Sequence, residues 1–285
     1  MDHDSFDVLG KWELDSGSQF LAYDFWWHLG FDTLITSEWG TPSMVQKGVN
    51  PEILLKGGYG HKLHVWDLQK RRHQQEIDLG PGYQMALELR PAHDPTRAYG
   101  FLGVVVSLKD LSASICVWHR DNGKWSIEKV IDIPAEPADA GALPPLQGFK
   151  AVPPLIMDIN LSLDDHFLYV SYFGTGEFLQ YDVSDPFHPR KTGSVHLGGI
   201  VRKAAHPKQP KTPLNGAPQM VEVSRDGRRI YFTNSLYAPW DAQFYPEGIQ
   251  SWMVKLDAKP EGGMALARDV PACREPPRTT SPCPG

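Results

Sequence analysis

Eleven histidines and three cysteines are the side chains here that could ligate a soft metal or act as nucleophiles. A soft transition-metal ion needs two to four imidazole or thiolate ligands converging on one point. His61 and His64 lie three apart on a predicted strand, which sends them to opposite faces and denies them a shared ion. They read as strand and turn histidines on the surface. His93, in ELRPAHDP, follows the first strand of its unit, where a residue facing a central channel would sit. It is the metal candidate, a single imidazole, with a hydrogen bond in a turn as the competing reading. His28, His73, His119, His166, His188, His196 and His206 fall in loops or at strand ends.

Asp24 and Glu38 are the candidates for paired catalytic carboxylates. Asp24 sits in YDFWW and Glu38 follows the next strand, so antiparallel neighbours could bring them close. General acid–base work would require a shared pocket and shifted pKa values. Hydrogen bonding of Asp24 to backbone amides is the structural alternative. Cys116, in SASICVWHR, alternates away from His119 and reads as a buried, inert thiol. Cys273 and Cys283 have no zinc spacing. Lys70–His73 reads as a solvated hairpin turn, and Asn160-Leu161-Ser162 as a sequon inside a strand. Gly57-Gly58-Tyr59-Gly60 lacks the spacing of a phosphate-cradling loop.

These residues must be positioned by strands. The chain has 285 residues, 26 of them glycine and 25 proline, an excess that favours turns over long helices. Nine Trp, ten Tyr and twelve Phe suit pleated surfaces. A net charge of −6 disfavours a nucleic-acid partner. No apolar run is long enough to span a membrane. The acidic start MDHDSFDVLGKWELD is no signal peptide, and sparse cysteine fits a cytoplasmic location.

Period-2 alternation predicts strands in groups of four. Val221–Ser224 and Ile230–Thr233 repeat Ile159–Ser162 and Leu168–Ser171 around matching charged turns. Pro42–Leu55 and Pro239–Glu247 are the helical candidates. Repeated four-stranded units predict an all-β propeller of about four blades, part of a larger ring of six to eight. Residues 2–15 read as the outer strand of a blade whose inner strands are absent. The expected organisation is one partial propeller over residues 1–265, followed by a disordered, proline-rich tail over 266–285.

Long stretches resemble the selenium-binding protein family, whose members include copper-dependent methanethiol oxidases. They are AYDFWWHLGFDTLITSEWGTP (22–42), GHKLHVWDL (60–68), ELRPAHDPTRAYGFLGVVVS (88–107), PPLIMDINLSLDDHFLYVSYFGTGEFLQYDVSDPFHP (153–189) and APQMVEVSRDGRRIYFTNSLYAPWDAQFYPEG (217–248). The resemblance implies a propeller, a small thiol substrate, copper as cofactor and a link to selenium. It also places the family's histidine-rich stretch and cysteine pair before Met1, and a further histidine where the proline-rich tail stands. The expectation is therefore a fragment that binds no copper and is inactive alone. The alternatives are a propeller module that binds a protein partner, or a gene fragment that does not fold stably.

Overall fold

The computed structural model describes residues 1–139, 141–206 and 209–267. Four antiparallel four-stranded sheets follow one another along the chain, each with its strands in sequence order. Sheet I comprises Phe25–His28, Thr33–Ser37, Lys62–Asp67 and Arg72–Asp78. Sheet II comprises Tyr83–Pro91, Tyr99–Ser107, Ala113–Asp121 and Lys124–Ile133. Sheet III comprises Ile156–Leu161, Phe167–Tyr172, Glu177–Asp182 and Arg190–His196. Sheet IV comprises Val221–Val223, Arg229–Thr233, Met253–Ala258 and Met264–Leu266. The architecture is all-β and propeller-like. The last strand takes in Leu266, which pairs with Leu256. The tail with Cys273 and Cys283 lies outside the described residues.

Apolar residues that alternate along the strands meet between consecutive sheets. Ile35, Leu63 and Val65 of sheet I pack on Leu89, Leu102, Val104, Cys116 and Trp118 of sheet II. Phe101, Ile115 and Val117 meet Ile156, Ile159, Leu168 and Val170 across the next junction. Phe167, Tyr169 and Phe178 meet Val221, Ile230, Phe232 and Leu256 across the last. Burying one such side chain contributes about 1.5–3 kcal/mol, so these three seams carry the stack.

A fourth cluster caps one end, where the second strands lead into the third. It gathers Leu54 and Tyr59 from sheet I's connection, Leu111 from sheet II's, Phe173 from sheet III's, and Trp240, Phe244 and Tyr245 from sheet IV's. Two of these connections form a clasp between the first and last sheets. Trp240 Nε1 and the Tyr237 hydroxyl both donate to the Val45 carbonyl, at 2.8 and 2.5 Å. Gln243 donates to the Val49 carbonyl and accepts from its amide, at 2.9 and 2.8 Å. The helices here are Pro42–Val45, Pro51–Leu55 and Ala238–Phe244, each started by proline in its first turn.

The segment expected to be an outer strand behaves differently. Residues 2–15 form a turn and irregular backbone, with a single bridge from Asp15 to Arg72. It meets the edge strand Arg72–Asp78 only at that strand's start, through the Leu14 amide on the Arg71 carbonyl and the His73 amide on the Asp15 carbonyl. Trp12 rests edge-on against Trp66, with centroids 6.1 Å apart. Farther in, Phe25 and Trp27 on the same face of sheet I remain exposed.

Candidate functional site

The inner strands carry one recurring device. In sheet I, the Asp24 amide donates to Ser37 Oγ, thirteen residues on, and Ser37 Oγ donates to the Leu87 carbonyl of sheet II. Asp24 Oδ2 accepts from the Leu89 amide at 3.0 Å. Sheet III repeats this. The Asp158 amide meets Ser171 Oγ, again thirteen residues on, and Ser171 Oγ donates to the Gln219 carbonyl of sheet IV. Asp158 Oδ2 accepts from the Val221 amide at 2.6 Å. A carboxylate and a hydroxyl thus tie each of these sheets to the next through its first strand.

The junction between sheets II and III breaks the pattern. A register shift between Ala86 and Leu89 marks a bulge at this point of the first strand. Glu88 stands where the aspartate would, beside Gly103, whose added Cβ would come within 3.0 Å of Ile156. Arg90 fills the gap. Its guanidinium reaches Asp158 Oδ1 at 2.9 Å, Glu88 Oε2 at 3.2 Å and Asp24 Oδ2 at 3.5 Å. It also lies over the Trp26 ring, 5.2 Å from its centroid. The Tyr23 hydroxyl donates to Glu88 Oε1 at 2.7 Å.

Three carboxyls therefore share one guanidinium in a buried setting. Burial raises the Glu88 carboxyl to about 8, and the nearby Asp158 charge adds to the rise. Burial likewise raises Asp158, although Arg90 and the Val221 amide oppose it. Asp24 rises for the same reason, against the Leu89 amide and Arg90. Glu88 and Asp158 are thus both raised and coupled through Arg90, a setting suited to acid–base work.

The sequence candidates do not converge. Asp24 belongs to the Arg90 cluster, bonding the Leu89 amide and Trp26 Nε1. Glu38 goes to a second network, where Oε1 meets His64 Nε2 at 2.9 Å. His64 Nδ1 then faces His73 Nε2 at 3.0 Å. His64 is fully buried, so its expected exposure on the strand is corrected. The Glu38 carboxylate supplies the partner that burial of an imidazole demands. His61 instead turns to the Tyr59 carbonyl.

His93 sits at the opposite end from the aromatic cap, just past the first strand of sheet II. Its Nδ1 and its amide both contact Asp165 Oδ1, at 2.9 and 2.8 Å. Asp165 occupies the first turn of sheet III with φ +58. Burial would raise the Asp165 carboxyl, but the His93 ring and the amides of His93 and Asp94 outweigh it and hold it low. A carboxylate on Nδ1–H is the arrangement that orients a ligating imidazole through Nε2. No second imidazole joins it among the described residues. The one group of three convergent ligand atoms among them is Asp2, His3 and Asp4, exposed and mostly carboxylate. That donor set does not suit copper, which prefers imidazole and thiolate. Among the described residues, no three imidazole or thiolate ligands converge as a copper centre would need.

Cys116 is core, its thiol pushed up to about 12 by burial. Asn160 uses its side-chain amide on the Val221 carbonyl. No helix among the described residues is long and apolar enough to cross a membrane. Glu88, Arg90, Asp158 and His73 were not singled out as site residues from the sequence. The shared thirteen-residue spacing of Asp24–Ser37 and Asp158–Ser171 is the signal that would have exposed the device.

The comparisons agree on one family. The family model described as 56 kDa selenium binding protein matches residues 1–272. The methanethiol oxidases of Xenopus tropicalis and Homo sapiens are each 38% identical, over 93% of this chain and 58% of their own length. Selenium-binding protein 2 of Mus musculus is 36% identical over the same shares. A solved hypothetical selenium-binding protein from Sulfolobus tokodaii is 55% identical. Its TM-score is 0.90, over 95% of this chain and 59% of that one. The chain spans about three fifths of the length of these relatives.

Proposed function

This chain belongs to the 56 kDa selenium-binding protein family, and we propose that it forms four blades of a larger propeller ring whose complete form oxidises a small thiol. The reaction, taken from the family, converts methanethiol, oxygen and water to formaldehyde, hydrogen sulfide and hydrogen peroxide. The carbon is oxidised and oxygen is reduced to peroxide, and all atoms balance. Copper would supply the oxygen chemistry, which side chains alone do poorly. Its ligands would come mainly from outside these four sheets, and the chain alone would be inactive.

The observation that carries this reading is the unmatched face of sheet I. Phe25 is 59% exposed and Trp27 47%, on a face whose other side packs tightly against sheet II. Aromatics in such a row suit an adjoining sheet. Within the ring, this chain would contribute the buried proton on Glu88 and the oriented imidazole of His93. Selenium binding is a further property that the family name suggests.

The test is to express the longer reading frame, load it with copper, and assay methanethiol for all three products. Release of formaldehyde, sulfide and peroxide is the expected result. A folded, copper-loaded protein that leaves methanethiol untouched overturns the substrate. The same bare face favours a second reading, a docking module for a protein partner, which predicts a soluble, cooperative fold with no copper at any length.

A further inference from the structure

We propose that residues 12–19 form a strap over sheet I that is released by protonation of the His64–His73 pair. The inference is independent of the thiol reading.

The strap is held along one line. Trp12 lies on Trp66, and the Leu14 amide donates to the Arg71 carbonyl at 2.9 Å. The His73 amide donates to the Asp15 carbonyl at 3.0 Å. Ser18 Oγ donates to Glu76 Oε2 at 2.6 Å, and Gln19 Oε1 accepts from Thr36 Oγ1 at 2.7 Å. Gly17, at φ +54, lies so close over the His73 ring that a Cβ would come within 2.4 Å of Nδ1. Only glycine fits there.

Beneath the strap runs the Glu38–His64–His73 line. Glu38 fixes His64 with its proton on Nε2, which leaves Nδ1 bare. His73 must then donate through Nε2, which leaves its own Nδ1 as the site for an added proton. That site faces Gly17 of the strap, and among the described residues no side chain or backbone oxygen bonds it. A second added proton, on His64, would set two N–H groups against each other across 3.0 Å. Both additions load the floor on which the strap rests.

The charges around the pair are mixed. Glu38 faces His64 from the end of the second strand, Lys62 and Glu76 flank it from the third and fourth, Arg72 adjoins His73, and Asp15 comes from the strap. Glu76 is occupied by Lys62 and Ser18. Burial and the neighbouring His64 ring nevertheless push His73 below the ordinary histidine value. The fold favours the neutral ring, so acid works against the strap.

The test is hydrogen exchange on the full chain at about pH 7.5 and about pH 5.5, either side of the ordinary histidine value near 6.5. Rates are corrected for intrinsic exchange. The amides of Leu14 and His73 are expected to lose protection about tenfold or more at the lower pH, while those in the paired strands of sheet III keep theirs. His73→Gln keeps a donor toward His64 but removes the first protonation site, so its strap protection should fall clearly less than the native protein's. A pH-independent strap in the native protein overturns the proposal. So does an equal loss in His73→Gln, or a parallel loss in sheet III.

Discussion

The junction between sheets III and IV and the junction between sheets II and III occupy equivalent places and are built differently. At the first, Asp158 and Ser171 bind the Val221 amide and the Gln219 carbonyl directly. At the second, Glu88 and Gly103 stand in those places and Arg90 makes the tie through its side chain. Glu88 bonds the Tyr23 hydroxyl and Arg90 in place of a backbone amide, and the glycine has no hydroxyl to offer. One position in a repeat thus binds a backbone amide of the next sheet in one copy and only side chains in another. A broken local rule of this kind is where function is to be sought.

Asp158→Ala should give the largest effect. It strands Arg90 and the Val221 amide in a buried setting, at a cost of about 3–5 kcal/mol. Asp24→Ala removes the matching latch, but Asp24's side chain is 21% exposed against 1% for Asp158. Water then replaces part of the loss, and about 1–3 kcal/mol is expected. Urea denaturation of both variants reads the difference, and equal losses would erase the contrast.

Glu88→Gln probes the proton. The folded carboxyl titrates near 8 and an ordinary one near 4.5, so the folded state binds more protons across that window. Stability should therefore fall as pH rises through it, by at most about 1.4 kcal/mol per pH unit, and flatten above. The glutamine variant should lose that slope and overtake the native protein at alkaline pH. An unchanged slope would assign the titration elsewhere.

Gly103→Ser restores the missing hydroxyl. Its Cβ would meet Ile156 at 3.0 Å, so overpacking should outweigh the new bond and cost about 1 kcal/mol or more. A stabilised variant would mean that the junction differs by accident of sequence. Ser37→Ala and Ser171→Ala should each cost about 1–2 kcal/mol, because each hydroxyl makes one accepted and one donated hydrogen bond to backbone. Their equality is the point, because the two latches are the same device.

Much of the fold was legible because alternation survives in nearly every strand. Thr33–Ser37 and Phe167–Tyr172 stand where the pattern puts them. The alternation in YDFWW pairs as a strand only from Phe25, because residues 20–24 make single contacts such as Tyr23 to Ser37. The site was less legible. Asp24 and Glu38 are near in sequence yet face different networks, since one precedes its strand and the other follows the next. His64 looked exposed because its cover, residues 12–19, is irregular and leaves no periodic trace. Arg90 and Glu88 gave no motif, as their meaning lies in contrast with Asp24 and Asp158 rather than in any spacing of their own.

The most direct measurement is copper content after equilibrium dialysis, for this chain and for a longer frame that completes the ring. The prediction is stoichiometric copper in the longer protein and only traces in this chain. Stoichiometric, tightly held copper in this chain alone would contradict it, and would place the whole metal site within these four sheets.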